Sequence, residues 1–330
     1  MRVSVIVPAY NRNDVLVKCV DGLYQQGLNE AFFEVIVVDD CSQIDSKIFL
    51  GDQLRVHQNL RVIRHESNRG LAAARNTGAF NANYEIILFL DSDIVPELGF
   101  LQAHLDLHSR FPDELIAGVS NLKYPNDIVA ASNFVRFVNS RYLGNRDYSS
   151  QAKLNYEDLP AKNFGGGISS MQRSLFVALS GFDTKFIKYG GEDEEMGCRI
   201  KKAGTRIVFI ESAKAIHYDT VNLSRFRLKM EEWSQNALPI LVNKHPEYLS
   251  STALGTIMIR ELDSFPTCLL QLALKCIFSC SLLSFLEKML SRTDGLKMFY
   301  FPKCYRLLIA GWIYNGRIAS PVDARDGVWK

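Results

Sequence analysis

The chain has 330 residues and a formal net charge of +2, which is long enough for one large domain or two small ones. Hydrophobic residues make up 47% and charged residues 22%, as is typical of a globular protein, and the charge gives no reason to expect a nucleic-acid partner. The seven cysteines are scattered without a Cys-x-x-Cys pair, which argues against a disulfide framework or a zinc site and favours reduced thiols. The apolar run after Met1 is too short for a signal peptide, so we expect a cytoplasmic protein.

Up to about residue 120 the chain alternates between apolar runs, which predict buried strands, and stretches with helical spacing. The predicted elements are, in order, a strand at Val3–Val7, a helix at Asn13–Gln26 with Asn13 as its N-cap, strands at Phe33–Asp40 and Leu60–His65, a helix at Gly70–Phe80 and a strand at Ile86–Leu90. This alternation predicts a mostly parallel sheet with helices on both faces. Ligands of such sheets bind beyond the carboxyl ends of the strands.

Polar clusters follow three of these strands and are therefore expected at one edge of the sheet. They are Pro8–Asn11 after the first strand, Asp39–Asp40 at the end of the second and Asp91–Asp93 at the end of the fourth. No Gly-x-Gly-x-x-Gly or Walker motif follows the first strand, which argues against a dinucleotide or ATP cradle.

Asp91 and Asp93 end a buried strand and are two residues apart, so their carboxylates point in one direction. One interpretation is a pair of solvated loop acids, one of which caps the next helix. The other is a site for Mg²⁺ or Mn²⁺, which prefer oxygen ligands and are held by one or two carboxylates plus substrate phosphates.

The second half of the pattern is less regular. A helix is predicted within "SNFVRFVNSRYLG", and "NFGGGISSMQRSLF" places three glycines before a predicted strand and helix. "KYGGEDEEMGCRIKKAG" predicts a helix with acids in its first turn, bases near its end and a glycine stop. "TRIVFIESAKAIHYDT" predicts a pair of strands that ends near His217, and helices dominate beyond about residue 222.

The ordered set of motifs resembles the family 2 glycosyltransferases with the GT-A fold. The matching elements span about residues 1–220 and are "VSVIVPAYNR", "VIVVDDCS", "NRGLAAARNTG", "ILFLDSD", "NFGGGISS", "SGFDTKF" and "YGGEDEEMGCRIKKAG". Residues 165–217 are most similar to glycosyltransferase modules of bacterial polysaccharide and glycosaminoglycan polymerases. The resemblance implies an α/β, Rossmann-like GT-A domain over residues 1–220, with a nucleotide-sugar half (1–120), an acceptor half (121–220) and a helical C-terminal region (221–330).

The resemblance also implies a donor site. Pro8 and Tyr10 match positions that pack the nucleotide base, although Tyr10 could instead be a core residue. Asp40 matches the acid that accepts the uracil N3–H and so favours a UDP-sugar over a cytidine donor, while Asp39 is expected to support the turn. Arg75 would offset phosphate or base charge, unless it is a surface residue of its helix.

The implied metal site is formed by Asp91, Asp93 and His217. Asp91 matches the acid near the ribose and the metal, Asp93 the direct ligand of Mn²⁺ or Mg²⁺, and Ser92 between them is assigned to the substrate. His217 matches a histidine that completes the metal shell in the polymerase modules. The alternative for a lone histidine at a strand end is a structural role.

The resemblance assigns catalysis to Asp193 as the general base that deprotonates the acceptor hydroxyl in an inverting transfer. Glu192 and Glu195 are expected to orient the acceptor or the helix, although acids in a first turn also compensate the helix dipole. Gly165, Gly166 and Gly167 are expected to allow close backbone approach and to line the donor diphosphate or acceptor pocket.

The expected reaction is transfer of a sugar from a UDP-sugar to a glycan or polyprenyl-linked glycan, as in bacterial surface polysaccharide synthesis. The Gln/Arg-x-x-Arg-Trp element of processive synthases is absent, which favours transfer of a single sugar. Transfer to a small molecule or a protein remains an alternative, as does a nucleotide-sugar-binding protein without catalysis. A pyrophosphorylase is disfavoured because "PAYNRND" is not its Gly-rich, basic loop.

Two C-terminal segments suggest contact with a membrane. The stretch 268–286 is apolar but is diluted by Gln271 and Lys275, and the segment 297–317 mixes aromatic and cationic residues in the manner of an interfacial helix. The alternative is a helical bundle packed on the catalytic domain. We expect peripheral attachment to the cytosolic face of the inner membrane.

Overall fold

The structure is a computed structural model that describes residues 1–145, 155–250 and 273–318. The strands in these ranges are β1 (Val3–Ala9), β2 (Phe33–Asp39), β3 (Leu60–Arg64), β4 (Ile86–Leu90), β5 (Ile94–Pro96), β6 (Ile116–Lys123), β7 (Ile168–Gln172) and β8 (Arg206–His217). The helices are α1 (Asn13–Tyr24), α2 (Ser46–Phe49), α3 (Gly51–Val56), α4 (Leu71–Phe80), α5 (Phe100–Arg110), α6 (Asn126–Ala131), α7 (Asn133–Asn139), α8 (Arg173–Ala178), α9 (Glu192–Lys202), α10 (Leu223–Glu232), α11 (Leu238–Lys244), α12 (Glu247–Ser250), α13 (Cys280–Arg292) and α14 (Pro302–Ile318).

The strands form one mostly parallel sheet in the order β3-β2-β1-β4-β7-β6-β8-β5, as the sequence predicted. Strand β7 runs antiparallel to both of its neighbours, β4 and β6, and β5 runs antiparallel to β8. Because β7 is reversed, its amino end lies beside the carboxyl ends of β1, β2 and β4. The glycines 165–167, which precede β7, therefore reach the edge at which a ligand is expected.

Two apolar layers cover the two faces of the sheet, which confirms the predicted arrangement. In β1, Val3, Val5 and Val7 face one layer, whereas Ile6 faces the other, because side chains alternate along a strand. Helices α1 and α5 pack on the first face, and α4, α8 and α9 pack on the second. The two layers hold the loops at the carboxyl edge in fixed positions.

Two local predictions were wrong. Helix α1 begins at Asn13 itself, and the capping position is occupied by Arg12 without a side-chain hydrogen bond. The predicted strand pair before His217 is one long strand, β8, which follows β6 through a register shift between Ser120 and Asn121. Polar residues at the shift interrupt the apolar run of β8, and in the sequence this interruption has the pattern of a turn between two strands.

The described residues divide into two compact units. Unit 1 comprises residues 1–125, 139–187 and 192–219, and unit 2 comprises residues 126–138, 188–191 and the chain from residue 220 onward. The segments 126–138 and 188–191, which lie inside the predicted catalytic domain, thus group with the C-terminal residues. The predicted division at residue 220 stays a prediction.

The aromatic residues of α14 are largely internal to unit 2. Tyr305, Trp312 and Tyr314 are buried, and the Tyr305 ring lies 5.5 Å from that of Phe134 and 5.1 Å from that of Phe137. These rings therefore do not form the membrane-facing side that the sequence predicted for this segment.

The apolar stretch 268–286 is not one continuous helix where it is described. Residues 268–272 lie outside the described ranges, residues 273–277 form a short helical segment, and that segment ends before α13 starts at Cys280. Across the described parts of the chain, no helix combines the length and the apolar character needed to cross a membrane. The predicted membrane contact stays a prediction.

Candidate active site

A cavity of about 330 Å³ lies at the carboxyl edge of the sheet in unit 1. The residues that line it are Pro8, Ala9, Tyr10, Arg12, Asp40, Asn68, Gly70, Leu71, Ala74, Asp91, Ser92, Asp93 and Ile187. Of the residues that the sequence assigned to the substrate, the lining includes Pro8, Tyr10, Asp40, Asp91 and Ser92 but not Arg75. Tyr10 is 49% exposed, so the alternative of a core tyrosine is wrong.

The neighbouring acids Asp39 and Asp40 have different surroundings. The Asp39 carboxylate is fully buried and accepts hydrogen bonds from the backbone N–H groups of Ser42 and Ser46 and from Arg64. Burial alone raises the pKa of Asp39, but these hydrogen bonds outweigh burial and lower it. Asp39 therefore supports the turn after β2, as predicted.

Asp40 lines the cavity and also holds the loop that begins α4. Its carboxylate accepts hydrogen bonds from the N–H groups of Arg69 and Gly70, at 2.9 and 2.8 Å, and contacts His65 Nδ1 at 2.7 Å. These contacts fix the carboxylate at the cavity wall. Its predicted contact with the base stays a prediction.

Arg75 is the buried centre of the site. Its side chain is only 1% exposed, so the alternative of a surface arginine is wrong. One guanidinium nitrogen contacts Asp193 Oδ1 at 2.9 Å and Glu192 Oε1 at 3.1 Å, and the other contacts Asp91 Oδ1 at 2.9 Å. Arg75 therefore joins the acid at the end of β4 to the acids that begin α9, more than a hundred residues further along the chain.

The charges of Arg75 and of the three acids around it shift one another's pKa values. Burial lowers the pKa of the Arg75 guanidinium, but the three carboxylates outweigh burial and raise it, so Arg75 stays charged. Burial raises the pKa of Asp193, and the charge of Arg75 only partly opposes that effect. Burial and the charge of Asp193 also raise the pKa of Glu192.

Glycines before β7 leave the space that this cluster occupies. A Cβ atom on Gly167 would lie 2.0 Å from Asp91 Oδ2, and one on Gly166 would lie 2.1 Å from Asp193 Oδ1. The residues are therefore glycine because two carboxylates lie directly against the backbone. Their predicted contacts with the diphosphate or the acceptor stay a prediction.

Glu195 does not face the cavity. Its side chain is fully buried and pairs with Arg199 one helical turn later, at 2.6 Å. Of the two alternatives for this acid, the structure supports orientation of the helix.

The second acidic group is formed by Asp93, His217, Asp219 and Arg12. One nitrogen of Arg12 contacts Asp93 Oδ2 at 2.7 Å and Asp219 Oδ1 at 3.0 Å, while the other Asp93 oxygen lies 3.6 Å from His217 Nε2. Burial raises the pKa of Asp93, but its contacts with His217 and Arg12 outweigh burial and hold it well below its usual range.

Asp93 Oδ1 and His217 Nε2 fit a divalent cation. Their separation of 3.6 Å is too long for a hydrogen bond and is about 0.6 Å longer than the roughly 3 Å between neighbouring ligands of an octahedral ion with bonds of about 2.1 Å, so a shared ion requires a small shift of one side chain. His217 Nδ1 contacts the Tyr142 hydroxyl at 2.9 Å, as the second nitrogen of a metal-bound histidine commonly contacts an oxygen. No group of three or more His, Cys, Asp and Glu side chains in the described residues is arranged to hold a metal, so the predicted set of Asp91, Asp93 and His217 is not brought together as three ligands, and Asp91 pairs with Arg75 instead.

Sequence reasoning missed Arg12, Tyr142 and Asp219. Arg12 follows the motif after β1 directly, and Asp219 lies two residues after His217, so both carried the same kind of signal as the predicted acids. Tyr142 comes from a distant, irregular segment, and nothing in its local sequence indicated a contact with His217.

The fold and the cavity define an α/β protein with an acidic cavity at the carboxyl edge of its sheet. The family model described as glycosyl transferase family 2 matches residues 4–176, and one described as the N-terminal domain of galactosyltransferase matches residues 146–222. The first match covers more than half of the chain. The chain belongs to glycosyl transferase family 2.

Curated relatives match parts of this chain. Glycosyltransferase AglE of Haloferax volcanii is 32% identical over 137 residues, which are 42% of this chain and 45% of AglE. Chondroitin synthase of Escherichia coli is 24% identical over 243 residues, which are 66% of this chain and 34% of that protein. The chain thus spans less than half the length of either relative.

Solved structures share the GT-A-like fold. Mannosyltransferase PcManGT from Pyrobaculum calidifontis, in complex with GDP-Man and Mn²⁺, superposes with a TM-score of 0.62 at 20% identity. The superposition covers 95% of this chain and 86% of the mannosyltransferase chain. S. aureus TarS 1–349 in complex with UDP gives a TM-score of 0.54 at 19% identity, with 99% and 92% of the two chains covered. At these identities the likeness shows the fold alone.

The tight fit at Gly167 gives a first prediction. Gly167→Ala should lower kcat/KM by about a hundredfold, because its Cβ would displace Asp91, and a displacement of about 1 Å at an active site has an effect of this size. Gly165→Ala is the matched control, since its Cβ would meet only the side chain of Ile168 at 3.2 Å. Steady-state kinetics checks the pair, and equal activity of the two variants would contradict the packing argument.

Proposed function

We propose that the protein is a metal-dependent, inverting glycosyltransferase that moves a sugar from a UDP-sugar to a glycan or lipid-linked glycan acceptor. The observation that carries the proposal is the pairing of Asp91 and Asp193 through Arg75. It sets the candidate base beside the acid that, in the proposed donor site, lies near the sugar nucleotide. A carboxylate in that position can reach an acceptor hydroxyl at the anomeric carbon.

The charge of the site supports the proposed cation. Acids outnumber guanidinium groups here even without Glu192, whose pKa is raised to about 8: the other acids are Asp91, Asp93, Asp193 and Asp219, and the bases are Arg12 and Arg75. A diphosphate is itself an anion, so its binding at this edge requires added positive charge. Asp93 and His217 would hold Mn²⁺ or Mg²⁺, which would neutralise the leaving diphosphate.

The residues of the chain perform the remaining steps. Tyr10 offers an exposed ring to the base, and Asp40 offers an acceptor oxygen. Asp193, whose side chain is 28% exposed, accepts the proton of the attacking hydroxyl as the new glycosidic bond forms. One displacement assisted by one base inverts the anomeric configuration.

The acceptor is proposed by class only. The similarity to a chondroitin synthase supports a glycan acceptor, as in the synthesis of bacterial surface polysaccharides or related glycoconjugates, and a lipid-linked glycan belongs to the same class. A small-molecule or protein acceptor is the second candidate. Peripheral attachment to the cytosolic face of the inner membrane would suit a lipid-linked acceptor and stays a prediction.

Asp193→Asn should lower turnover by about 10²- to 10⁴-fold, because the amide cannot accept the proton of the acceptor. Binding of UDP and Mn²⁺ should change little, since Asp193 is assigned to the acceptor side. Calorimetry and steady-state kinetics separate the two effects, and NMR of the wild-type product should show inverted configuration. Retained configuration, or wild-type turnover in the variant, would remove Asp193 from the mechanism.

The activity should also depend on pH in a defined direction. Asp193 must be ionised to accept a proton, and its pKa is raised by burial, so kcat/KM should fall on acidification at a higher pH than an ordinary aspartate would cause. A pH profile of kcat/KM checks this point. An acid limb at or below the ordinary aspartate range would contradict the assignment.

The cation gives a further prediction. His217→Ala should weaken Mn²⁺ binding in the presence of UDP by at least about tenfold, as measured by electron paramagnetic resonance, because one of the proposed protein ligands is lost. His57→Ala is the control, since His57 also contacts a carboxylate but lies away from the cavity. EDTA should inactivate the wild type, and full activity in EDTA would contradict the metal site.

A further inference from the structure

His65 is a buried histidine that has no place in the steps described above. Its side chain is 5% exposed, and its Nδ1 lies 2.7 Å from Asp40 Oδ1. We propose that His65 is a positioning residue for recognition of the donor base, which it influences by holding Asp40 with one acceptor site free. The inference rests on the proposed UDP-sugar donor and adds a residue that sets its selectivity.

The hydrogen bonds of Asp40 can be counted. Oδ1 accepts from His65 and from the N–H of Arg69, and Oδ2 accepts from the N–H of Gly70. A carboxylate has about four acceptor sites, two on each oxygen. Oδ1 is therefore fully used, and one acceptor site remains on Oδ2, in a side chain that lines the donor cavity.

The second ring nitrogen of His65 fixes the orientation of the imidazole. His65 Nε2 lies 2.9 Å from the Thr77 hydroxyl, which belongs to α4. Because the Asp40 carboxylate only accepts, Nδ1 carries the hydrogen, and in the neutral ring Nε2 accepts the hydrogen of Thr77. The chain Thr77–His65–Asp40 thus runs from a packed helix to the cavity wall and resists rotation of the carboxylate.

A single free acceptor selects for a base that offers an N–H group. Uracil presents N3–H, whereas cytosine presents a lone pair at the same atom and would face the Asp40 oxygen with no hydrogen between them. A site built to accept a substrate N–H rejects an analogue without it, since a buried polar group is then left unpaired. UDP and CDP have similar sizes and the same diphosphate, so a comparison of their affinities reports the contact between Asp40 and atom N3 of the base.

Loss of His65 should reduce the discrimination between UDP and CDP, rather than only weaken the binding of both nucleotides. Without the Nδ1 hydrogen bond, Asp40 Oδ1 gains a free site and the carboxylate can rotate. A water molecule bound there can donate a hydrogen to N3 of cytosine. The ratio of the two dissociation constants therefore reports the role of His65, whereas a general loss of structure would weaken both nucleotides together.

The experiment measures Kd for UDP and CDP by calorimetry in the presence of Mn²⁺. Wild type should bind CDP at least about tenfold more weakly than UDP. His65→Leu should reduce this ratio by at least about threefold, and Thr77→Val should change it in the same direction. His65→Asn, whose amide N–H lies near the position of Nδ1, should restore most of the ratio.

His57→Leu is the matched control, because His57 Nδ1 makes the same kind of contact, 2.8 Å to Glu30, outside the cavity. A wild-type ratio near one would overturn the assignment of Asp40 to the base, and the role of His65 with it. A ratio that is large in wild type and unchanged in His65→Leu would overturn the inference about His65 alone. If His65→Leu does not fold, an unchanged ratio in Thr77→Val overturns it instead.

Discussion

Arg75 is a cation enclosed by three carboxylates that reach it from two distant parts of the chain. Charges removed from water are costly unless they are paired and hydrogen-bonded, so neither the acids nor the guanidinium group could be buried here alone. The pairing fixes Asp91 and Asp193 relative to each other and limits how far burial raises the pKa of Asp193. In the proposed mechanism, the donor side and the acceptor side of the reaction are linked at this one group.

Several features of unit 1 are needed to bring this cluster together. Strand β7 is reversed between β4 and β6, which carries Gly166 and Gly167 to the carboxyl edge and leaves the backbone open to two carboxylates. Helix α4 holds Arg75 on one face of the sheet and, through Thr77 and His65, also steadies Asp40 on the cavity wall. The same helix therefore supports the proposed base, the acids of the proposed donor site and the proposed contact with the nucleotide base.

The sequence was sufficient for the sheet, for the family and for the acids at the strand ends, because buried strands and paired carboxylates leave local patterns. The sequence could not show whether Arg75 is buried or on the surface, because its burial depends on pairing with Glu192 and Asp193, more than a hundred residues away. The run of small residues around Arg75, nearly all buried in α4, was a usable hint. The bulge in β8 and the burial of Tyr305 also depend on partners distant in sequence, which local spacing does not encode.

A double-mutant cycle on stability tests the Arg75 cluster most directly, because it needs neither substrate nor metal. The free energy of unfolding would be measured for wild type, Arg75→Met, Glu192→Gln and the double variant. Arg75→Met alone should cost about 3–5 kcal/mol, since it leaves buried carboxylates uncompensated. The double variant should be more stable than the sum of the single effects predicts, by about 0.5–3 kcal/mol, because Glu192→Gln removes one of the acids that Arg75 pairs with. Additive effects, or an Arg75→Met variant as stable as wild type, would contradict the account.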